Sequence, residues 1–270
     1  MTYDLARYNG YMKGKVFDFL TLVALALFAS VVSLIWQITF LYSTILFLGL
    51  PSLFLALRLK RTGQWWRIIT MTVLFGGWYG FLLAYIADWN RIWAWPPESL
   101  PWGLWFYLVN PVEILWVFLW VLFIVLFYEH FIENDSKKII SARIIWAIAP
   151  ASLITLAITL MTIYYPRSLD WPYAYAALFV LTLPPAVILL WRNPRIFGKL
   201  LLPSLFFTPF HIAHEIVSVS LGQWYFPGQY FALVPLPGNT FVPIEEMIVW
   251  IILGSVLVLA YYELYVDDGK

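Results

Sequence analysis

Eight runs of about twenty consecutive apolar residues dominate this sequence, and each is long enough to cross the hydrocarbon of a bilayer as an α-helix. Only 11% of the residues are charged, whereas a soluble domain carries about 25%. Lipid must therefore be the solvent for most of the surface. We predict an all-α membrane protein of about eight transmembrane helices. The predicted ranges are Val16–Trp36, Ile38–Leu57, Ile68–Ala87, Leu104–Phe127, Ile144–Tyr165, Tyr173–Trp191, Leu200–Leu221 and Pro243–Tyr265.

Lysine and arginine residues concentrate in alternate connections between these runs. Loops rich in Lys and Arg stay on the cytoplasmic side, so the alternation predicts a multi-pass protein of the cell membrane with both termini cytoplasmic. The opposite connections contain only Arg91 and Arg167. The basic residues of the predicted cytoplasmic segments are Arg7, Lys13 and Lys15; Arg58, Lys60, Arg61 and Arg67; Lys137, Lys138 and Arg143; and Arg192, Arg195 and Lys199.

The overall charge and the absence of cysteine exclude several classes of function. A net charge of +1 gives no electrostatic footprint for nucleic acid. With no cysteine in the chain, disulfides, thiolate nucleophiles and iron–sulfur clusters are excluded.

Two stretches of the sequence resemble each other at nearly the same internal spacing. Trp93 begins Trp-Ala-Trp-Pro, and a loop then leads to Pro111-Val-Glu; Trp224 begins Trp-Tyr-Phe-Pro, and a loop then leads to Pro243-Ile-Glu-Glu. The two copies lie about half the chain apart. We therefore predict two four-helix repeats, residues 1–134 and 135–270. Because each contains an even number of helices, both insert with the same orientation, related by a twofold axis along the membrane normal.

Five carboxyl groups fall within or at the ends of the apolar runs: Asp88, Glu113, Glu215, Glu245 and Glu246. The predicted topology places all of them toward the outer side of the membrane. An acid in the first turn of a helix is also stabilised by the helix dipole. Glu113, taken by itself, is equally open to this purely structural interpretation. Adjacent helical residues point about 100° apart, so one of Glu245 and Glu246 can face the bundle interior. An intramembrane acid is a candidate functional residue, and we predict catalytic roles for all five.

Two histidines and an acid, His211, His214 and Glu215, lie on one face of the seventh predicted helix. A metal site completed by Glu245 or Glu246 is conceivable. The chain has only three histidines in all, so we favour no metal. We predict instead that His214 is a hydrogen-bonded relay or orienting partner of Glu215.

Aromatic residues make up 20% of the chain, and most Trp and Tyr residues of membrane proteins form interfacial belts. Trp93, Trp95, Trp224 and Tyr225 are more specific, because they lie close to the acids in sequence and on the same side of the membrane. Aromatic faces stabilise cations. A proton donor beside aromatic rings is the equipment for carbocation chemistry, so these four residues are the predicted substrate-binding residues.

The segment from Glu215 to Glu246 resembles the lycopene cyclase domain of archaea, actinobacteria and fungi, which occurs twice per active unit. The resemblance lies in an acid seven positions before Gly222-Gln-Trp224-Tyr225, followed by a loop and Pro243-Ile-Glu245-Glu246. The family usually has Asp at the position of Glu215 and a Phe-Phe pair after the two glutamates. In the first repeat Ile114 replaces the second glutamate, so that repeat is the candidate for a degenerate site.

The resemblance implies a membrane enzyme of carotenoid biosynthesis that cyclises the ψ-ends of lycopene without a cofactor. Glu245 or Glu246 would be the acid, and Glu215 or Glu113 the base or an orienting group. Trp224 and Tyr225 would stabilise the cation, and the substrate would be a lipophilic polyene that enters from the bilayer. Three alternatives stay open on the sequence: a carotenoid or isoprenoid hydratase that uses the same acids, a proton-coupled transporter and a non-catalytic assembly factor.

Overall fold

A computed structural model of the chain describes residues 2–59, 64–96, 109–133, 140–238 and 240–267, and the side chains of the first helix from Gly14 onward. Of the basic residues that predict the orientation, Lys60, Arg61, Lys137 and Lys138 lie outside the described residues. The orientation therefore stays a prediction.

The described residues contain seven helices long and apolar enough to cross a membrane, and a bent pair of helices that can form an eighth. The prediction of an all-α membrane protein with about eight spans is confirmed. In chain order the spans are α1 Gly14–Trp36 (within a helix Thr2–Trp36), α2 Phe40–Arg58, α3 Trp65–Trp89, α4 Pro111–Phe131, α5 Ala142–Tyr164, α6 Ala174–Arg192, α7 Pro194–Ser220 and α8, formed by Ile244–Ile252 and Gly254–Val266.

Several spans contain irregular turns. Wider π-type turns occur at Ile45–Gly49 in α2, at Thr72–Tyr79 in α3, and at Met247–Ile252 and Tyr262–Val266 in α8. Helix α6 is interrupted between Thr182 and Pro184. Short 3₁₀ turns begin α5 at Ala142–Ile144 and α7 at Pro194–Ile196, and another, Pro166–Leu169, lies between α5 and α6.

Helix α4 begins at Pro111, whereas the sequence predicted a start at Leu104. Residues 104–108 lie outside the described part of the chain. A residue before proline is driven out of the helical region, and Asn110 accordingly has an extended backbone. Its side chain accepts a hydrogen bond from Val112 N at 2.9 Å. This cap stabilises the turn that carries Glu113.

The spans differ strongly in how much surface they bury. In α4, 61% of the apolar window is buried, compared with 17% in α1 and 11% in α5. A helix that is apolar all round belongs in the interior, and α4 packs accordingly against α3, α7 and α8. The acids carried by α4, α7 and α8 therefore lie in the centre of the bundle, while α1 and α5 turn most of their surface to lipid.

A two-stranded hairpin connects α7 to α8. Its strands, β1 Leu233–Leu236 and β2 Thr240–Pro243, are antiparallel, and Leu233 pairs with Pro243. Gly238 in the turn has φ +85°, a conformation that glycine adopts without strain. The hairpin delivers the chain to Glu245 and Glu246 at the start of α8.

The two similar stretches of the sequence meet in space. Ala94 and Tyr225, which hold the same position in Trp-Ala-Trp-Pro and Trp-Tyr-Phe-Pro, pair antiparallel through two backbone hydrogen bonds of 2.9 and 3.0 Å. We call the end of the bundle that contains these loops the tryptophan end. Such self-complementary pairing is what a twofold axis between two halves generates. The division into two repeats itself stays a prediction.

Candidate active site

Three of the predicted acids line one small cavity at the tryptophan end. Glu113 from α4, Glu215 from α7 and Glu246 from α8 are each less than 8% exposed. The other residues of this acid cavity are aromatic: Trp93, Trp95, Trp116, Trp224, Phe226 and Trp250. The sequence thus brings buried carboxyl groups from both halves of the chain into one aromatic enclosure.

Glu113 is bound by the loop that precedes its helix. Trp93 Nε1 donates to Glu113 Oε1 at 2.7 Å, and Trp95 Nε1 donates to Oε2 at 3.2 Å. Indole nitrogen is a donor only, so both carboxyl oxygens act as acceptors. Asp88, at the end of α3, lies close enough to share a hydrogen bond with Glu113. Asp88 does not line the cavity and acts on it through Glu113.

The equivalent tryptophan of the second half holds a different acid. Trp224 Nε1 donates to Glu215 Oε1 at 2.9 Å. The third acid, Glu246, accepts a hydrogen bond through Oε2 from the hydroxyl of Tyr175 on α6. Each acid of the cavity therefore has its own aromatic donor, which fixes its orientation.

Glu245 and Tyr225 do not line the acid cavity. Glu245 Oε1 accepts from Phe231 N at 2.9 Å and so ties α8 to the loop before the hairpin. Tyr225 is 50% exposed, and its described contacts are the backbone bonds to Ala94. Both residues of the adjacent pair are buried, and Glu246 is the one that lines the acid cavity.

The two histidines of α7 are buried among aromatic rings. The His214 ring lies 4.6 Å from Phe47 and 5.4 Å from Trp224, measured between centroids. Its Nε2 has no hydrogen-bond partner among the described residues. His211 Nε2 accepts from Trp120 Nε1 at 2.9 Å, which leaves it less suited to a metal shared with Glu215. His214 lies beside the cavity wall and touches the cavity through Trp224.

A second cavity of about 180 Å³ adjoins the first, and Trp93 and Trp250 line both. It extends between α3, α4, α6 and α8, and its walls are almost entirely apolar. Ile154 and Leu181, which line it, are also 41% and 60% exposed. The apolar cavity therefore opens toward the lipid-facing surface at one side and toward the acids at the other.

Sequence reasoning missed Tyr175, Trp116 and Trp250. Tyr175 is 2% exposed, lies 5.7 Å from Trp93 between ring centroids and lines the apolar cavity while it donates to Glu246. The Trp250 ring lies 5.4 Å from Trp116 and lines both cavities. All three lie within apolar runs, where Trp and Tyr residues are expected as part of the interfacial belt, so nothing in the sequence marked them as site residues.

A buried polar cluster at the opposite end of the bundle was also not predicted. Tyr128 donates to Glu263 and Tyr262 donates to Glu129, so the ends of α4 and α8 exchange equivalent bonds. Arg67 contacts Glu129 and Asp267. Glu133, Glu263 and Asp267 could share a metal ion by their spacing, yet Lys199 pairs with Glu133 at 3.1 Å and Tyr128 with Glu263. Lys199 and Tyr128 therefore already provide hydrogen-bond donors to these carboxyl groups, so a metal ion is not needed to stabilise them.

No protein-family model, curated protein or solved structure matches this chain.

Proposed function

We propose that this chain is a lycopene-cyclase-like membrane enzyme of carotenoid biosynthesis, which cyclises the ψ-ends of a linear polyene through a carbocation. The observation that carries the proposal is the junction of the two cavities. Three buried carboxyl groups and six aromatic rings line one cavity, and an apolar cavity open to the lipid-facing surface leads to it. The resemblance of Glu215 to Glu246 to the lycopene cyclase domain points the same way.

The proposed reaction is a redox-neutral isomerisation. A carboxylic acid transfers its proton to the terminal double bond, which leaves a tertiary carbocation. An internal double bond attacks that carbon, a new carbon–carbon bond closes the ring, and the charge moves into the ring. A carboxylate then removes a ring proton, so the product has the atoms of the substrate and the enzyme regains one acid and one base.

The hydrogen bonds of the acid cavity suggest which group plays which part. Glu246 accepts through Oε2 from Tyr175, which leaves Oε1 to carry the transferred proton. Glu113 accepts from two indoles and shares a hydrogen bond with Asp88, and Glu215 accepts through Oε1. We assign Glu246 as the acid and Glu113 or Glu215 as the base. The faces of Trp93, Trp224 and Trp250 stabilise the cation.

Hydration is the second candidate, and His214 is the observation that favours it. A hydratase must hold and deprotonate water beside the same cation. The His214 ring is buried next to Trp224, and its Nε2 has no partner among the described residues, so this nitrogen can hold a water molecule by a hydrogen bond. Cyclisation is preferred because the acid cavity itself is walled by rings and carboxyl groups.

The test is expression of the full chain in a bacterial host that accumulates lycopene, followed by chromatography and mass spectrometry of the pigments. The proposal predicts conversion of lycopene into a product of unchanged mass. A product heavier by the mass of water would select the hydratase. Unchanged lycopene in membranes that contain the folded protein would contradict both.

A matched pair of substitutions separates chemistry from folding. Glu246→Gln removes the acid, and we expect no product. Glu263→Gln is the control, because Glu263 is equally buried and also accepts from a tyrosine, but lies at the opposite end. The control is expected to retain conversion, and equal loss in both variants would show that Glu246 acts only through stability.

A further inference from the structure

A third cavity, of about 430 Å³, lies at the tryptophan end and outside the acid site. We call it the loop cavity, since the segments that follow α3, precede α6 and precede the hairpin form it. Its polar and aromatic lining includes Trp89, Arg91, Asp170, Trp171, Gln229 and Tyr230. Its volume falls in the range of ligand pockets, about 300–1,000 Å³.

Hydrogen bonds between loops make the cavity a built structure. Trp89 Nε1 donates to Asp170 Oδ1 at 2.8 Å, and Trp171 N donates to Asn90 Oδ1 at 2.8 Å. The Tyr230 hydroxyl donates to the carbonyl of Ile92. Burial raises the pKa of Tyr230, so this hydroxyl remains a neutral donor. All three segments are therefore fixed to one another.

The loop cavity also concentrates unusual backbone conformations. Arg91 and Tyr173 both line it and have φ of +52° and +51°, values that are costly for residues other than glycine. At Gly228, which lines it too, an added Cβ would lie 2.8 Å from the Tyr230 hydroxyl and 2.9 Å from the Arg91 carbonyl. Non-glycine residues in left-handed conformation cluster at ligand sites, where the surrounding structure holds them.

The free polar groups of the cavity indicate the charge of the ligand. Among the described residues, the exposed Arg91 guanidinium and Gln229 amide have no protein hydrogen-bond partner, and the exposed Asp170 accepts only through Oδ1, so these groups are available to a ligand. The carboxylate of Asp170 would repel an anionic ligand, and the guanidinium of Arg91 would repel a cationic one. A neutral ligand with several hydroxyl groups can accept from Arg91 and donate to Asp170, while Trp89 and Trp171 offer apolar surface to its C–H groups.

We propose that the loop cavity binds a neutral saccharide at the membrane surface. This site is separate from the acid cavity and does not depend on the function proposed for it. The sugar can be the headgroup of a glycolipid or a free saccharide. The position just beyond the ends of α3 and α7 is the level of lipid headgroups.

Binding is tested with the purified full chain in phosphatidylcholine nanodiscs, since alkyl glycoside detergents carry the same chemical group. Free methyl β-galactoside is measured by saturation-transfer NMR, and monogalactosyl diacylglycerol in the nanodisc by native mass spectrometry. Binding of both indicates a site for saccharide from either source, and binding of the lipid alone indicates a headgroup site. Binding of neither, or preferred binding of phosphatidylglycerol, overturns the proposal.

Arg91→Asn and Gln229→Ala are the informative variants. Asparagine tolerates the left-handed conformation, so Arg91→Asn removes the guanidinium and keeps the loop. We expect each variant to weaken saccharide binding about tenfold, as for loss of a good hydrogen bond. Arg167→Asn, at an exposed position outside the cavity, is the control and should bind normally. Unchanged binding in both cavity variants would overturn the assignment.

Discussion

At the residue scale, Tyr175 is the side chain on which the arrangement of the acid cavity most depends. It is buried, donates to Glu246, and its ring packs edge-on against Trp93. Glu246 lies in the first turn of α8 and Tyr175 in the first turn of α6. The hydrogen bond therefore fixes the orientation of the Glu246 carboxyl group.

Replacing Tyr175 by phenylalanine keeps the ring and removes this bond. We expect kcat for lycopene conversion to fall about 10- to 100-fold, since a hydrogen bond to an acidic group is worth about 1.5–3 kcal/mol. KM should change little, because the apolar wall is intact. Tyr173→Phe is the control, because Tyr173 is exposed, stacks on Phe231 and lines neither the acid cavity nor the apolar cavity. Equal rates in wild type and Tyr175→Phe would contradict the role.

The carboxyl groups of the site could be predicted from the sequence, but Tyr175 could not. Glu113, Glu215 and Glu246 interrupt apolar runs, where an acid is conspicuous. A tyrosine at the end of a span is ordinary, and the partner of Tyr175 lies 71 positions further along the chain. Which of Glu245 and Glu246 faces the cavity was likewise left open, because the bond from Phe231 N in the loop before the hairpin to Glu245 is a tertiary feature.

At the element scale, the bend of α8 decides how the apolar cavity is shaped. The span was predicted as a continuous helix from Pro243 to Tyr265, but it bends by 50° between Ile252 and Gly254. No proline lies at the bend. The Trp120 side chain from α4 packs there, and a Cβ added to Gly254 would lie 2.7 Å from its Cζ2 atom. Hydropathy predicted the span but not the bend, which follows the π-type turn Met247–Ile252 and lies where a side chain from another helix packs.

Gly254→Ala tests this packing. The added methyl must displace Trp120, which also donates to His211 and lines the apolar cavity. Overpacking of this kind costs about 1–3 kcal/mol, so we expect a lower midpoint of thermal unfolding in detergent. Gly198→Ala, in α7 with nothing within 4 Å of its Cβ, should leave the midpoint unchanged or raise it slightly. If both variants unfold at the same temperature, the close contact at the bend is wrong.

At the scale of the whole molecule, the tryptophan end and the opposite end differ in chemistry. At the tryptophan end, buried carboxyl groups accept hydrogen bonds from tryptophan and tyrosine. The opposite end contains Arg67 and Lys199 with their acidic partners. The Lys and Arg distribution predicts that the opposite end is cytoplasmic. The bundle and its spans could be predicted from the sequence, whereas the reciprocal bonds between α4 and α8 depend on how the helices pack.

The absence of native cysteine makes the orientation directly measurable. Arg167→Cys and Arg195→Cys place single thiols at exposed positions on opposite ends. We expect a membrane-impermeant maleimide to label Arg167→Cys in intact cells and to label Arg195→Cys only after permeabilisation. The reverse pattern would invert the topology, and labelling of both in intact cells would contradict the span count.

We propose that a buried acid at the junction of two cavities protonates a lipophilic alkene, and the incorporation of solvent deuterium into the product is the decisive measurement. The purified protein in liposomes is given lycopene in D₂O, and the product is weighed by mass spectrometry, with Glu246→Gln as the inactive reference. We expect each ring formed to retain one deuterium from solvent, since the exchanged acid adds it to the CH carbon of the terminal double bond, which becomes a ring carbon. A cyclised product without deuterium, or the same product from Glu246→Gln, would contradict it.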